Sequence, residues 1–305
     1  MTFSVSILGC GAAIPLTHRN PSAQVVNVKE QLYLFDCAEG TQVQLRKNHF
    51  RLQKIENIFI SHLHGDHYFG LMGLITSLHL LGRESALHIY AYHQLEQIIQ
   101  MHLHASKTVL RYPLHFHAID PDRNEVIMEN KTVSVSSIPM KHNFPTCGFL
   151  IREHQGKPNI RKDFLEGKSL DVSDYGRIKR GEDYIDSAGK VYPNADITLP
   201  PAPPRSYAYC TDTAYDEGII PIIENIDLLY HEATFMEDRK ADAEAKFHST
   251  AMQAASIARK AHAGQLIIGH FSARYKEMDK MLDEAREIFA NTVLAEDGLS
   301  IDIHN

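Results

Sequence analysis

A layered α/β sandwich is the fold class this sequence predicts, and three observations lead there. Strand-like runs alternate with amphipathic helical segments along both halves of the chain. Several strands end in His or Asp clusters, which sets a site at one edge of the layers. The 305 residues, 44% of them hydrophobic, can bury a large core.

The elements follow in order. Phe3 to Leu8 alternates as a strand and enters the turn Gly9-Cys10-Gly11. Ala23 to Val28 and Leu32 to Phe35 flank Lys29-Glu30 and read as a hairpin. A short helix over Gly40 to Asn48 precedes the strand Ile55 to Ile60. Gly70 to Leu81 is helical, because Leu71, Leu74, Ile75, Leu78 and Leu81 fall on one face. Leu87 to Ala91 and a helix from His93 to Ser106 repeat the theme, and strands follow at Val133 to Ile138 and Cys147 to Ile151. The second half has strands at Tyr207 to Cys210, Ile226 to Tyr230 and Gln265 to Ile268. Its helices run from Thr250 to His262 and from about Lys276 to Ala290.

One stretch departs from this pattern. Arg152 to Pro204 is polar, has poor periodicity and ends in Leu199-Pro200-Pro201-Ala202-Pro203-Pro204. Between Arg152 and Gly181 there are eight Lys/Arg against five Asp/Glu, inside a chain of net charge −7. Such a segment reads either as a solvated, mobile insertion or as a projecting basic arm whose natural partner is an acidic polymer.

Composition narrows the function classes. No apolar run approaches the roughly 18 residues of a membrane span. The acidic balance argues against nucleic-acid binding by overall charge, while leaving a local basic patch open. Met1 to Val5 opens into a strand pattern without a basic leader, and Cys10, Cys37, Cys147 and Cys210 form no Cys-x-x-Cys pair. A reduced, cytoplasmic protein is the expectation.

The chemistry concentrates in His62-Leu63-His64-Gly65-Asp66-His67, directly after the apolar run Ile58-Phe59-Ile60. Imidazole and carboxylate are ligands for zinc and related first-row ions. His62 and His64, two residues apart in extended chain, face one side, and Asp66 and His67 lie past Gly65 where they can face a second ion. Three more strands end in similar residues: Met140-Lys141-His142, Thr211-Asp212-Thr213 and Gly269-His270-Phe271-Ser272. Together they add two His and one Asp, the number two metal shells require.

The chain resembles the metallo-β-lactamase superfamily and, within it, the ribonuclease Z family of tRNA 3′-processing endonucleases. The hexapeptide carries the first resemblance. The second rests on Gly9-x-Gly11-x-x-x-Pro15 with Arg19-Asn20, Phe35-Asp36-Cys37-Ala38-Glu39-Gly40-Thr41-Gln42, His231-Glu232-Ala233-Thr234, His248-Ser249-Thr250 and Gly269-His270-Phe271-Ser272-x-Arg274-Tyr275. The resemblance implies a four-layer αββα metallo-β-lactamase sandwich in one domain, 1–305, with a candidate tRNA-binding arm inserted at 152–204. It implies two Zn2+ per subunit, one on His62, His64 and His142 and one on Asp66, His67 and His270, with Asp212 bridging. Asp36 is then expected to accept the free N–H of a ligand imidazole.

Further roles follow from the same resemblance. Asp66 would also accept a proton from water, and His248, supported by His231 and Glu232, would serve the leaving 3′-oxygen. Arg19, Arg274, Lys162, Lys179 and Arg180 are the cations expected against RNA. The implied function is removal of the 3′ trailer from precursor tRNA, leaving a 3′-hydroxyl, by a homodimer with no membrane attachment. A general metal-dependent nuclease or phosphodiesterase, including a DNA-directed one, and a small-ester or lactone hydrolase are the competing readings. Two departures stand out: no Gly-Pro dipeptide occurs between Arg152 and Arg205, where the family's arm usually carries one, and His18 precedes Arg19 where a second fixed cation is common.

Overall fold

The structure is a computed structural model and describes residues 2–168 and 170–304. It separates into two compact units, residues 1–152 with 205–304, and residues 153–204.

The larger unit holds two seven-stranded sheets. In spatial order the first runs Ser300–Asp302, Phe3–Gly9, Ala23–Val28, Gln31–Phe35, Ile55–Phe59, Leu87–Tyr92 and Leu114–Ile119. The second runs Thr292–Leu294, Gln265–Gly269, Leu228–Glu232, Ser206–Cys210, Cys147–Glu153, Val133–Pro139 and Val126–Glu129. Their inner faces meet through aromatic side chains. Phe35 and Phe59 of the first sheet lie 5.4 and 5.5 Å, ring to ring, from Phe149 of the second. The outer face of the first sheet, including Val25, Leu34, Ile58 and Ile89, packs on helices Thr41–Lys47, Leu71–Leu80 and Gln94–Ala105. Helix Ala251–Lys260 covers strands Leu228–Glu232 and Gln265–Gly269, with Ala254, Ala255, Ile257 and Ala258 fully buried. Helix, sheet, sheet and helix make the four-layer α/β sandwich predicted from sequence.

Local chemistry accounts for the element boundaries. Lys29 and Glu30 both take left-handed φ, 50° and 67°, the two-residue turn whose twist suits a hairpin. Thr250 caps its helix in a reciprocal box with Gln253. At the hexapeptide, Gly65–Tyr68 closes into a short helical turn. That turn abuts the loop after Phe35, and a Cβ at Gly70 would lie 2.0 Å from the Ala38 carbonyl oxygen. Glycine is required there so that Gly70 N–H can reach Cys37 O at 2.9 Å.

The inserted unit is more ordered than its polarity suggests. Asn159–Ile160 pairs with Thr198–Leu199, and Tyr184–Ile185 pairs with Val191–Tyr192. Helix Val172–Ile178 starts in a capping box formed by Asp171 and Asp174. Phe164, Ile178 and Ile197 form its small core, with Tyr184 and Tyr192 rings 5.8 and 5.4 Å from Phe164. Across 153–204 its charge is balanced, eight Lys/Arg against nine Asp/Glu, so the basic character is confined to the first part.

Candidate metal and acid–base centre

The ends of the central strands of both sheets meet at one cavity of about 870 Å³. His64, Asp66, His142, Asp212, His248 and His270 line it, with Phe69 and Arg274 at its walls.

Two groups of side chains converge there. His62, His64, His142 and Asp212 place one ligand-capable atom each within 4.8 Å of one another, and so do Asp66, His67 and His270. His62 Nε2 lies 3.0 Å from His64 Nδ1, so the pair two residues apart does face one side. Asp212 divides its carboxylate between the groups. Its Oδ2 is 3.6 Å from His62 Nε2 and 3.8 Å from His142 Nε2, while Oδ1 is 3.3 Å from His67 Nε2 and 3.1 Å from His270 Nε2. Asp66 Oδ2 sits 3.7 Å from His67 Nε2 and 3.5 Å from His270 Nε2, and accepts the Ala13 N–H at 2.6 Å.

The imidazoles are held by their other nitrogens. His67 Nδ1 donates to Asp36 Oδ2 at 2.7 Å, His142 Nδ1 donates to Phe247 O at 3.0 Å, and His270 Nδ1 lies 2.9 Å from Thr234 Oγ1. The Nε2 atoms of His67, His142 and His270 are buried and have no hydrogen-bond partner among the described residues. A buried nitrogen without a partner is costly, and a divalent cation in each group would satisfy all three, His142 in one and His67 and His270 in the other. Donor set and orphaned atoms therefore fit zinc-type ions.

Strain marks the same place. Asp36, Asp212 and His270 all take left-handed φ, at 56°, 36° and 60°. Such residues each cost roughly 1–3 kcal/mol and persist where surrounding structure over-determines them. Asp36 shows how. Fully buried, it accepts hydrogen bonds from Ser61 N–H and Oγ–H, His67 Nδ1–H and Tyr209 O–H at 2.7 to 2.9 Å.

Electrostatics separate the histidines. Burial, then the neighbouring His67, holds His62 well below the usual imidazole range, and burial also lowers His64 and His142. Burial would lower His67 too, but Asp212, Asp36 and Asp66 outweigh it and raise its pKa well above the usual value. Against the effect of burial, the surrounding histidines keep Asp212 and Asp66 far below the usual carboxylate range.

A separate acid–base pair borders the cluster. His248 Nδ1 donates to Glu232 Oε1 at 2.7 Å, and Glu232 is fully buried. Burial alone would lower His248, but the Glu232 carboxylate and its hydrogen bond push it up to about 9. Glu232 also accepts Thr213 N–H at 2.9 Å and Thr234 N–H at 3.0 Å.

Other expected site residues are placed differently. His231 lies on the strand beside Glu232, fully buried, with Nδ1 donating to the Glu232 carbonyl at 2.8 Å. It is not among the residues that line the cavity. Arg19 is only 7% exposed, and its guanidinium lies 5.3 Å from the centre of the Phe271 ring, outside the cavity lining. Arg274 does line the cavity, with Nε donating to Ser272 Oγ at 3.1 Å and the guanidinium 5.0 Å from the Phe235 ring centre. In the inserted unit Lys162, Lys179 and Arg180 are exposed, and Arg180 pairs with Glu182 at 3.1 Å. Ser61, Tyr209 and Thr234 were not anticipated as site residues. Each adjoins or sits inside a motif already singled out, which was their only sequence signal.

Comparison with known proteins accords with this geometry. A family model described as anti-Pycsar protein Apyc1 matches residues 3–157, the half that carries the hexapeptide. A protein named ribonuclease Z from Phocaeicola vulgatus is 46% identical over 303 residues, covering 99% of this chain and 98% of its own. Another from Porphyromonas gingivalis is 44% identical over 301 residues, 99% of each. The crystal structure of the short form of human tRNase Z superposes with a TM-score of 0.73 at 25% identity, covering 99% of this chain and 100% of that one.

Proposed function

This chain belongs to the ribonuclease Z family, and from that premise we propose that it removes the 3′ trailer from precursor tRNA with two zinc ions per subunit, leaving a 3′-hydroxyl on the tRNA. Its activity is that of a metal-dependent endoribonuclease, a phosphodiester hydrolase. The observation that supports the two-ion reading best is the divided carboxylate of Asp212, with one oxygen toward each histidine group.

In this reading His62, His64 and His142 would hold one ion, Asp66, His67 and His270 would hold the other, and Asp212 would serve both. When bound, such a pair polarises phosphoryl oxygens and acidifies water between them. The protein's own groups do the rest. Two divalent charges against two ligand carboxylates leave a positive cavity floor for a phosphodiester. Asp66, ionised and fixed by the Ala13 N–H, takes the proton of the attacking water. His248 is kept protonated by Glu232 and hands its Nε2 proton to the departing 3′-oxygen. Arg274 lies where it would meet the RNA backbone.

The inserted unit is the candidate tRNA grip, through Lys162, Lys179 and Arg180 on its exposed surface. We place the enzyme in the cytoplasm as a homodimer. Among the described residues no helix is long and apolar enough to cross a membrane, and light scattering on the purified protein reads the oligomeric state.

The test is cleavage of a 3′-extended precursor tRNA beside an unstructured RNA of equal length, with and without chelator. One chelator-sensitive cut near the discriminator base, in the tRNA alone, is expected. Equal degradation of both RNAs would replace this reading with a general metal-dependent phosphodiesterase. Cleavage of neither would turn the search to small esters and lactones.

A further inference from the structure

One hydroxyl joins the two halves of the site. Thr234 Oγ1 lies 2.9 Å from His270 Nδ1 and 2.7 Å from Glu232 Oε2, and the residue is only 4% exposed. A threonine hydroxyl has a single proton, and a carboxylate oxygen accepts only. The His270 carbonyl oxygen also lies 2.9 Å from Oγ1, but the carboxylate is nearer and, being charged, the stronger acceptor, so the proton goes to Glu232 and Oγ1 accepts the His270 Nδ1–H. That arrangement selects the tautomer whose Nε2 lone pair points at Asp212 Oδ1, 3.1 Å away, and Asp66 Oδ2, 3.5 Å away.

We propose that Thr234 is the positioning residue for the second metal ion, relaying the Glu232 carboxylate to His270. The site then uses two buried carboxylates for the same purpose. Asp36 orients His67 directly, at 2.7 Å, and Glu232 orients His270 through one intervening hydroxyl. Because His270 has left-handed φ, its ring position rests on contacts of this kind and not on a regular strand.

The role is separable from that of Glu232 in holding His248. Without the Thr234 hydroxyl, Glu232 still accepts from Thr213 N–H, Thr234 N–H and His248 Nδ1–H. Glu232 gives up one hydrogen bond of four, whereas His270 Nδ1 loses its Thr234 partner. That loss weakens the ion held by Asp66, His67 and His270 and spares the ion held by His62, His64 and His142. The inference rests on the two-ion reading above, though not on the identity of the RNA.

Cobalt(II) titration of the metal-depleted full-length protein, read by visible absorption against a competing chelator, tests it without any substrate. Wild type should take two equivalents. Thr234→Val should bind the first as wild type does and the second about 10- to 100-fold more weakly, the usual effect of removing a partner of a ligand imidazole. Thr234→Ser, which keeps the hydroxyl, should restore the second affinity. Thr234→Ala serves as an independent deletion should the valine variant fail to fold by circular dichroism. Wild-type affinity for both ions in the Val or Ala variant would overturn the proposal, as would an equal loss in Thr234→Ser. A single wild-type equivalent would overturn it together with the two-ion reading. Failure to cut precursor tRNA would sink the functional reading and leave this test standing.

Discussion

Replacing Glu232 by Gln should shift the alkaline limb of precursor cleavage downward by roughly two pH units or more. His248, whose ordinary pKa is 6.5, is pushed up to about 9 by the adjoining Glu232 carboxylate. That difference corresponds to about 3 kcal/mol favouring the imidazolium, as an order of magnitude. The side chain is 15% exposed and Glu232 fully buried, so solvent screens the pair little. A raised pKa means His248 carries its proton through neutral pH and loses it as the pH climbs through about 9. Gln keeps an acceptor for Nδ1–H but no charge, and burial, which lowers the imidazole, is then opposed only by Asp212 and Asp66. At pH 8 the protonated fraction falls from about nine-tenths to about 3%, so the rate of a step that needs this proton drops ~30-fold, while near pH 6 the two enzymes converge. Bound cations lower both midpoints, so the displacement between the profiles is the readout. The assay is single-turnover cleavage of precursor tRNA from pH 5.5 to 9.5. A pH-independent fall, with superimposable limbs, would refute the assignment of His248 as the acid. Bis(p-nitrophenyl) phosphate supplies the control. Its leaving group needs no proton, so its profile should lack the displacement, and any pH-independent loss there reports the link from Glu232 through Thr234 to His270.

Four further outcomes are expected. His64→Ala or Asp212→Ala should abolish cleavage with circular dichroism unchanged, and full activity in either would end the two-ion assignment. Asp36→Asn disturbs a buried acceptor of four hydrogen bonds, so calorimetry should show a loss of about 2–4 kcal/mol and metal affinity should fall about 10- to 100-fold. Arg152 and Ser206 are paired across adjacent strands, so a short Gly-Ser linker can replace residues 154–203. KM for tRNA should then rise far more than KM for bis(p-nitrophenyl) phosphate; equal changes would remove the inserted unit from substrate binding. Gly70→Ala sets a Cβ against the Ala38 carbonyl and should lower Tm markedly, by an overpacking cost of roughly 1–3 kcal/mol.

The hexapeptide was legible because four ligand-type side chains lie within six contiguous residues, and local geometry alone brings them together. His142, Asp212 and His270 were legible as strand-end residues, and only the fold carries them to the same cavity. The inserted unit was legible in its extent but not in its internal structure. Its elements are two to seven residues long, too short for periodicity, and its core joins Phe164, Ile178 and Ile197 from separate segments. Strands Leu114–Ile119, Val126–Glu129, Thr292–Leu294 and Ser300–Asp302 were missed because they lie at sheet edges, held by pairing with one neighbour. His231 lies off the cavity lining for a nearer reason. The strand expected to end at Tyr230 runs to Glu232, and strand alternation then turns His231 and Glu232 to opposite faces. Arg19 depended on a loop conformation that no local pattern encodes; its guanidinium packs on Phe271.

The central claim is a pair of ions sharing the Asp212 carboxylate, and metal-edge anomalous scattering from zinc-loaded crystals tests it most directly. Two anomalous peaks are predicted, one among His62, His64 and His142, the other among Asp66, His67 and His270, with an Asp212 oxygen bound to each. A single peak, or two peaks of which one lies out of reach of Asp212, would contradict the account.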